Sequence, residues 1–135
     1  MAIRSEQNLE LQYSDLDLDF DLNPTTKDVS KKTGAEAIKR SIRNLVFTNF
    51  FERPFRSNVG SSARSLLFEN VDPLTSILLE DAVGDVIRLH EPRVTLDKVT
   101  VSGDIDNNGY NVRIEYTINK GNIPVVSTLF LERIR

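Results

Sequence analysis

Apolar and polar positions change their period along this chain, and each change marks an element. From Ser14 to Leu22, Asp15, Asp17, Asp19 and Asp21 alternate with Leu16, Leu18, Phe20 and Leu22. That period of two predicts a strand with one wet acidic face. Asn23-Pro24 ends it. Residues 27–32 read as a short strand or an irregular link. Thr33-Gly34-Ala35-Glu36 reads as a capping box, with Thr33 as N-cap and Glu36 three residues on. Ile38, Ile42, Leu45 and Val46 then recur at helical spacing, so a helix is predicted over about 34–48. A second, short helix is predicted over about 62–69, burying Leu66, Leu67 and Phe68. Asp72-Pro73 is a strong helix start, with Asp72 as N-cap and Pro73 at the first helical position. Leu74, Ile77, Leu78, Ala82, Val83, Val86 and Ile87 follow as its apolar stripe. Gly84 costs about 1 kcal/mol relative to alanine inside a helix, which predicts a close neighbour there.

Pro92 stops this helix near Leu89 or His90, because its ring fixes φ and pushes Glu91 out of the α region. After Arg93 the period returns to two. Strands are predicted over about 94–103, from the turn at Asp106–Gly109 through Ile118, and over about 124–132. The middle strand sets Val112, Ile114, Tyr116 and Ile118 against Asn111, Arg113, Glu115 and Thr117. The last strand carries apolar groups on both faces, which predicts burial by a partner. The fold class is α+β: N-terminal helices packed on a C-terminal antiparallel β-meander, in a single domain over 1–135. Residues 1–27 are expected to form a loosely held arm followed by the acidic strand.

Composition narrows the function. At 135 residues with 39% hydrophobic content, the chain is long enough for a small core. It has no cysteine and one histidine, so disulfides, thiolate metal sites and multi-histidine sites are excluded. Asp15, Asp17 and Asp19 have the spacing of a calcium loop, but its sixth and twelfth positions hold Phe20 and Thr26 instead of glycine and glutamate. No apolar run approaches the roughly 18–20 residues that span a membrane, and the start lacks the layout of a secretion signal. Neither a cofactor nor a membrane is expected. Net charge is −3, unevenly spread: residues 1–22 carry one basic and six acidic side chains, 23–64 nine and three, and 65–135 seven and eleven. The basic middle either answers the chain's own acidic parts, meets a partner protein, or binds nucleic acid through Lys39, Arg40 and Arg43. The acidic total argues against nucleic acid as a partner.

Catalysis finds little support. No Gly-x-Ser-x-Gly elbow is present, and Gly60 lacks the second glycine and lysine of a phosphate loop. Glu69 with Asp72, or Glu69 with Glu91, are the acid pairs nearest to a glycosidase arrangement. Asp72 is better explained as a helix cap. Three binding features remain. Glu91-Pro92-Arg93 forms a joint between helix and sheet, either as two solvated charges at a helix stop or as a partner site. Arg53-Pro54-Phe55 lies within an aromatic stretch with Phe47, Phe50 and Phe51, which either anchors a loop to the core or fills a partner's pocket. Val126, Thr128 and Phe130 lie on the last strand, where another chain's strand would add.

The order Arg-Pro-Phe, Gly60, Leu66-Leu67-Phe68-Glu69-Asn70, Asp72-Pro73-Leu74-Thr75, long helix, Glu91-Pro92-Arg93, meander resembles the baseplate wedge family of contractile bacteriophage tails. That family is also called the sheath initiator and has a type VI secretion counterpart. The resemblance runs from about Asp28 to the end. It implies a structural protein of the inner baseplate, joined to other wedge proteins near the tail tube and assembled in the host cytoplasm. It implies that the β-meander templates the first ring of the tail sheath protein by strand augmentation. It also implies that Glu91, Pro92 and Arg93 hold the protein in the wedge core. The family has carried a lysozyme label, so the alternative is a peptidoglycan-degrading enzyme.

Overall fold

The computed structural model describes residues 13–134. The arm expected over the first residues lies almost wholly outside the described residues. Two compact units cluster separately, 1–40 and 41–135.

In the first unit, β1 (Ser14–Leu16) pairs antiparallel with β2 (Lys31–Thr33), in the register Ser14↔Thr33. The acidic run does not continue as a strand to Leu22. Only an isolated bridge, Leu22↔Val29, holds its far end. The expected wet acidic face is also reversed at one position. Asp17 is buried while Leu16, Leu18, Phe20 and Leu22 are exposed. The reason is electrostatic: Lys32 and Arg40 both reach the Asp17 carboxylate, at 3.1 and 3.2 Å, and a paired charge tolerates burial. The basic middle of the chain therefore answers part of its own acidic segment.

Helix α1 spans Gly34–Phe47, as the apolar spacing predicts, and buries Ala37, Ile38, Ile42, Leu45 and Val46. Its start differs from the predicted capping box. Thr33 is a strand residue, and Gly34 enters the helix at φ 60, a left-handed conformation that glycine adopts freely.

In the second unit, α2 is a single turn, Ala63–Leu66, shorter than predicted. Leu67 is buried after it, but Phe68 is exposed, contrary to expectation. Helix α3 covers Pro73–His90, and the Asp72 side chain accepts the Thr75 N–H at 2.7 Å. Its inward face is Thr75, Leu79, Val83, Gly84, Val86 and Ile87, and it lies against the first strand of the meander. Leu74, Ile77 and Leu78 point outward, so the predicted stripe was rotated toward the wrong side over the first two turns. A methyl at Gly84 would meet Arg88 Nη1 at 3.3 Å and, across the packing, Leu96 Cδ2 at an ordinary 3.6 Å.

The meander is β3 (Val94–Asp104), β4 (Gly109–Ile118) and β5 (Ile123–Glu132), in the order β3-β4-β5, all antiparallel. Tyr110, Val112, Ile114, Tyr116 and Ile118 of the central strand are buried, each worth about 1.5–3 kcal/mol on burial. The turns use left-handed residues, Asn108 at φ 52 and Gly121-Asn122 at φ 97 and 48. A bulge at Asp97 interrupts the β3–β4 register.

Candidate functional site

Helix α3 ends where the sequence places its end, and the backbone then turns through Glu91, whose N–H still bonds to the Ile87 carbonyl at 2.9 Å. This corner is not a pair of solvated charges. Glu91 is 3% exposed. The Arg93 guanidinium grips it with two bonds, Nε to Oε1 at 2.6 Å and Nη2 to Oε2 at 2.9 Å. Such a fork–fork contact is the strongest form of this pair. Burial alone would raise the Glu91 carboxyl. The Arg93 fork and a hydrogen bond from Ser41 outweigh it and hold the group below its ordinary range. Pro92 between them is exposed, and its carbonyl accepts from Asn119 Nδ2 at 3.0 Å. The Asn119 N–H donates to the Arg93 carbonyl at 3.0 Å, and its Oδ1 accepts from Thr95 Oγ1 at 2.6 Å. One turn residue thus fastens the β4–β5 hairpin to the helix–strand corner.

The two sheet edges differ. Arg133 N–H bonds to the Asn108 carbonyl just beyond the β4–β5 ladder, which fixes its parity. Alternate residues Tyr110, Val112, Ile114, Tyr116 and Ile118 exchange bonds with β5. Opposite the intervening residues, Pro124, Val126, Thr128 and Phe130 turn their backbone groups to the free edge. Pro124, with no N–H to give, falls on that set. Val126 and Phe130 are also exposed on the outer face, at 51% and 43%, so the last strand's second apolar face is open. Thr128 is exposed as well. A proline at 128 would therefore spare the internal ladder and remove a donor from the free edge. On β3 the corresponding outward N–H of Val101 is taken by the Glu80 carboxylate of α3 at 2.8 Å. That contact and the bulge close the β3 edge to pairing.

Arg53, Pro54 and Phe55 lie on a loop over 49–60. Phe55 is fully exposed and Phe51 83% exposed, so this stretch does not anchor itself to the core through those rings.

Two of the three acids nearest to a glycosidase arrangement are engaged by other groups. Asp72 caps α3 and Glu91 is held by Arg93, while Glu69 is exposed and it is its backbone carbonyl, not its carboxylate, that accepts from Arg133 Nε at 2.9 Å. Asp17, Asp19 and Asp21 gather closely enough for a cation, but Lys32 and Arg40 already engage Asp17, and Arg40 also engages Asp19. Two contributors carry no signal in the sequence. No pattern in the sequence connects Asn119 to the corner, and nothing in the spacing of Glu80 points to a strand edge.

These features define a class first: an α+β domain whose presented groups are a strand edge and an aromatic loop. The sequence profile of the baseplate wedge protein gp25 family matches residues 32–122, and the chain belongs to that family. Baseplate wedge protein gp25 of Enterobacteria phage T4 is 32% identical over 111 residues, 82% of this chain and 83% of that one. A crystal structure of a putative tail lysozyme from Geobacter sulfurreducens superposes with a TM-score of 0.63 at 28% identity, covering 74% of this chain and 93% of that chain. A chain of the anti-feeding prophage baseplate gives 0.65 at 21% identity, covering 95% and 92%. One of the postcontracted pyocin R2 baseplate gives 0.56 at 19%, covering 87% and 98%. At those identities the two baseplate chains speak for the fold.

Proposed function

We propose that the chain is a non-catalytic structural component of the tail baseplate, joined to other wedge proteins, whose β5 edge receives a strand from the tail sheath protein and so starts the first sheath ring. The observation that carries this reading is the asymmetry of the meander: Glu80 and the Asp97 bulge close the β3 edge, while β5 presents the backbone of Val126, Thr128 and Phe130. Backbone bonds would supply affinity, and the exposed Val126 and Phe130 side chains specificity. Glu91, Pro92 and Arg93 serve the wedge by fixing the corner from which the sheet projects, with Pro92 as the exposed member. Placement beside the tail tube and assembly in the host cytoplasm belong to the same reading. It involves neither nucleic acid nor membrane. Among the described residues no helix is long and apolar enough to cross a bilayer, and Arg40 of the basic segment is committed to Asp17 and Asp19.

A cysteine-free chain allows a direct test. Thr128→Cys, in otherwise wild-type particles, should crosslink to the sheath protein through a short thiol-reactive linker. Crosslinks only to other wedge proteins, or none in intact tails, would sink the strand-edge reading.

A further inference from the structure

The loop over 49–60 is built to hold aromatic rings in water. Its neck is closed by three contacts. The Ser61 N–H donates to the Thr48 carbonyl at 2.8 Å, and a parallel bridge joins Asn49 to Ser61. Gly60, at φ 154, passes so close to Asn49 that a Cβ would lie 2.5 Å from its carbonyl carbon. Inside the neck, the Glu52 carboxylate accepts the Asn49 N–H at 2.8 Å, and the Phe51 N–H donates to the Ser57 carbonyl at 2.9 Å. Compact loops with joined ends usually fill themselves with their own side chains. This one does the reverse, turning Phe51 and Phe55 out to 83% and full exposure. Both rings sit on backbone at φ 66, which is a genuine outlier for a bulky residue. Strained backbone held by its surroundings is a mark of working surfaces. Arg53 and Arg56 flank Phe55, and among the described residues neither has an ion pair within the chain.

We infer that this loop is a preformed plug that inserts Phe51 and Phe55 into an apolar pocket with a carboxylate rim on another protein of the baseplate. Aromatic and arginine side chains are the usual anchors of protein contacts, and a loop already fixed in shape loses little freedom on docking. The charge pattern selects the partner's chemistry. Two arginines beside the rings call for discrete carboxylates, while the chain's net charge of −3 disfavours the continuous negative charge of lipid or nucleic acid. The inference rests on the wedge reading but concerns a different surface from β5.

The test uses the full chain in cells producing tails. The double variants Phe51→Ser/Phe55→Ser and Arg53→Glu/Arg56→Glu should melt like the wild type when purified. Each should fall at least about tenfold in its content of purified baseplates, the loss expected when anchor residues are removed. Wild-type content in both variants would overturn the plug. Absence of the wild-type chain itself from baseplates would instead overturn the wedge reading and the plug with it. Phenylalanine-dependent binding of the purified chain to phosphatidylglycerol vesicles or to single-stranded DNA would also overturn the assignment to a protein pocket.

Discussion

Arg93 and Glu91 hold each other across a single exposed proline, with both guanidinium–carboxylate bonds at 2.9 Å or less. The side chain of Glu91 is 2% exposed and that of Arg93 23%, so this pair behaves as a buried one. Removing one member leaves the other charge without compensation, which costs more than the pair's net worth. Arg93→Ala is therefore expected to lower the unfolding free energy by about 3 kcal/mol, measured by urea denaturation. If the pair served only a partner, as the family resemblance implies, the isolated fold of this variant would stay largely intact. A midpoint unchanged from the wild type would restore that view and count against the clamp.

The same pair makes stability depend on acid. The Glu91 carboxyl is held below its ordinary value of 4.5, so its contribution is fully present above that pH. It is lost as pH falls through the lower, folded-state value. Melting temperature should thus decline as pH drops below 4.5. In Glu91→Gln that part of the decline should be flatter. Equal slopes for both proteins would assign the acid sensitivity to other carboxylates.

Ladder parity separates two prolines one residue apart. Thr128→Pro removes an N–H that points to the free edge, whereas Leu129→Pro removes one that serves β4 opposite Val112. The first should melt near the wild-type temperature yet nucleate sheath poorly. The second should lose about 2 kcal/mol or more of stability, from the missing bond and the ring's clash with a central ladder. If Thr128→Pro tails carry normal sheath, the partner strand does not lie along β5.

Glu80 offers the complementary experiment. Glu80→Ala leaves the Val101 N–H without its carboxylate acceptor and removes one of the two features that close the β3 edge. The variant should self-associate with rising concentration in analytical ultracentrifugation, as uncovered edges do. Glu80→Gln keeps an acceptor in place and should remain like the wild type.

Gly84 tests the helix itself. The space beside it admits a methyl at 3.6 Å from Leu96, and the nearer atom, Arg88 Nη1 at 3.3 Å, ends a flexible side chain. Gly84→Ala is expected to gain about 0.5–1 kcal/mol, read as a higher midpoint in urea.

What the sequence made legible follows from how local each signal is. Asp72-Pro73 and Pro92 bracket α3 because capping and ring geometry act within one turn. The alternation from Val94 onward places the meander because one face of its central strand is buried throughout. The acidic run misleads for the opposite reason. Its alternation is as regular as that of β4, but Lys32 and Arg40, 15 and 23 residues away, draw Asp17 inward. The pattern alone does not orient helix α3 near its start, because Leu74, Ile77 and Leu78 are as apolar as Leu79 and Val83. The joint at Glu91-Pro92-Arg93 was visible as a motif, but its inward turn depends on Ser41 and Asn119, which no spacing rule connects to it.

Asn119 gives the corner a mechanical property. Its bonds to the carbonyls of Pro92 and Arg93 bridge the tip of the β4–β5 hairpin to the end of α3. A strand seated beside β5 and pulled along its axis would load its backbone bonds in shear, all together, because they lie across the direction of pull. The load would reach the hairpin tip and pass through Asn119 into the helix end instead of peeling β5 from β4. In a tail that contracts, such a route would let a small domain carry force along its length without unzipping.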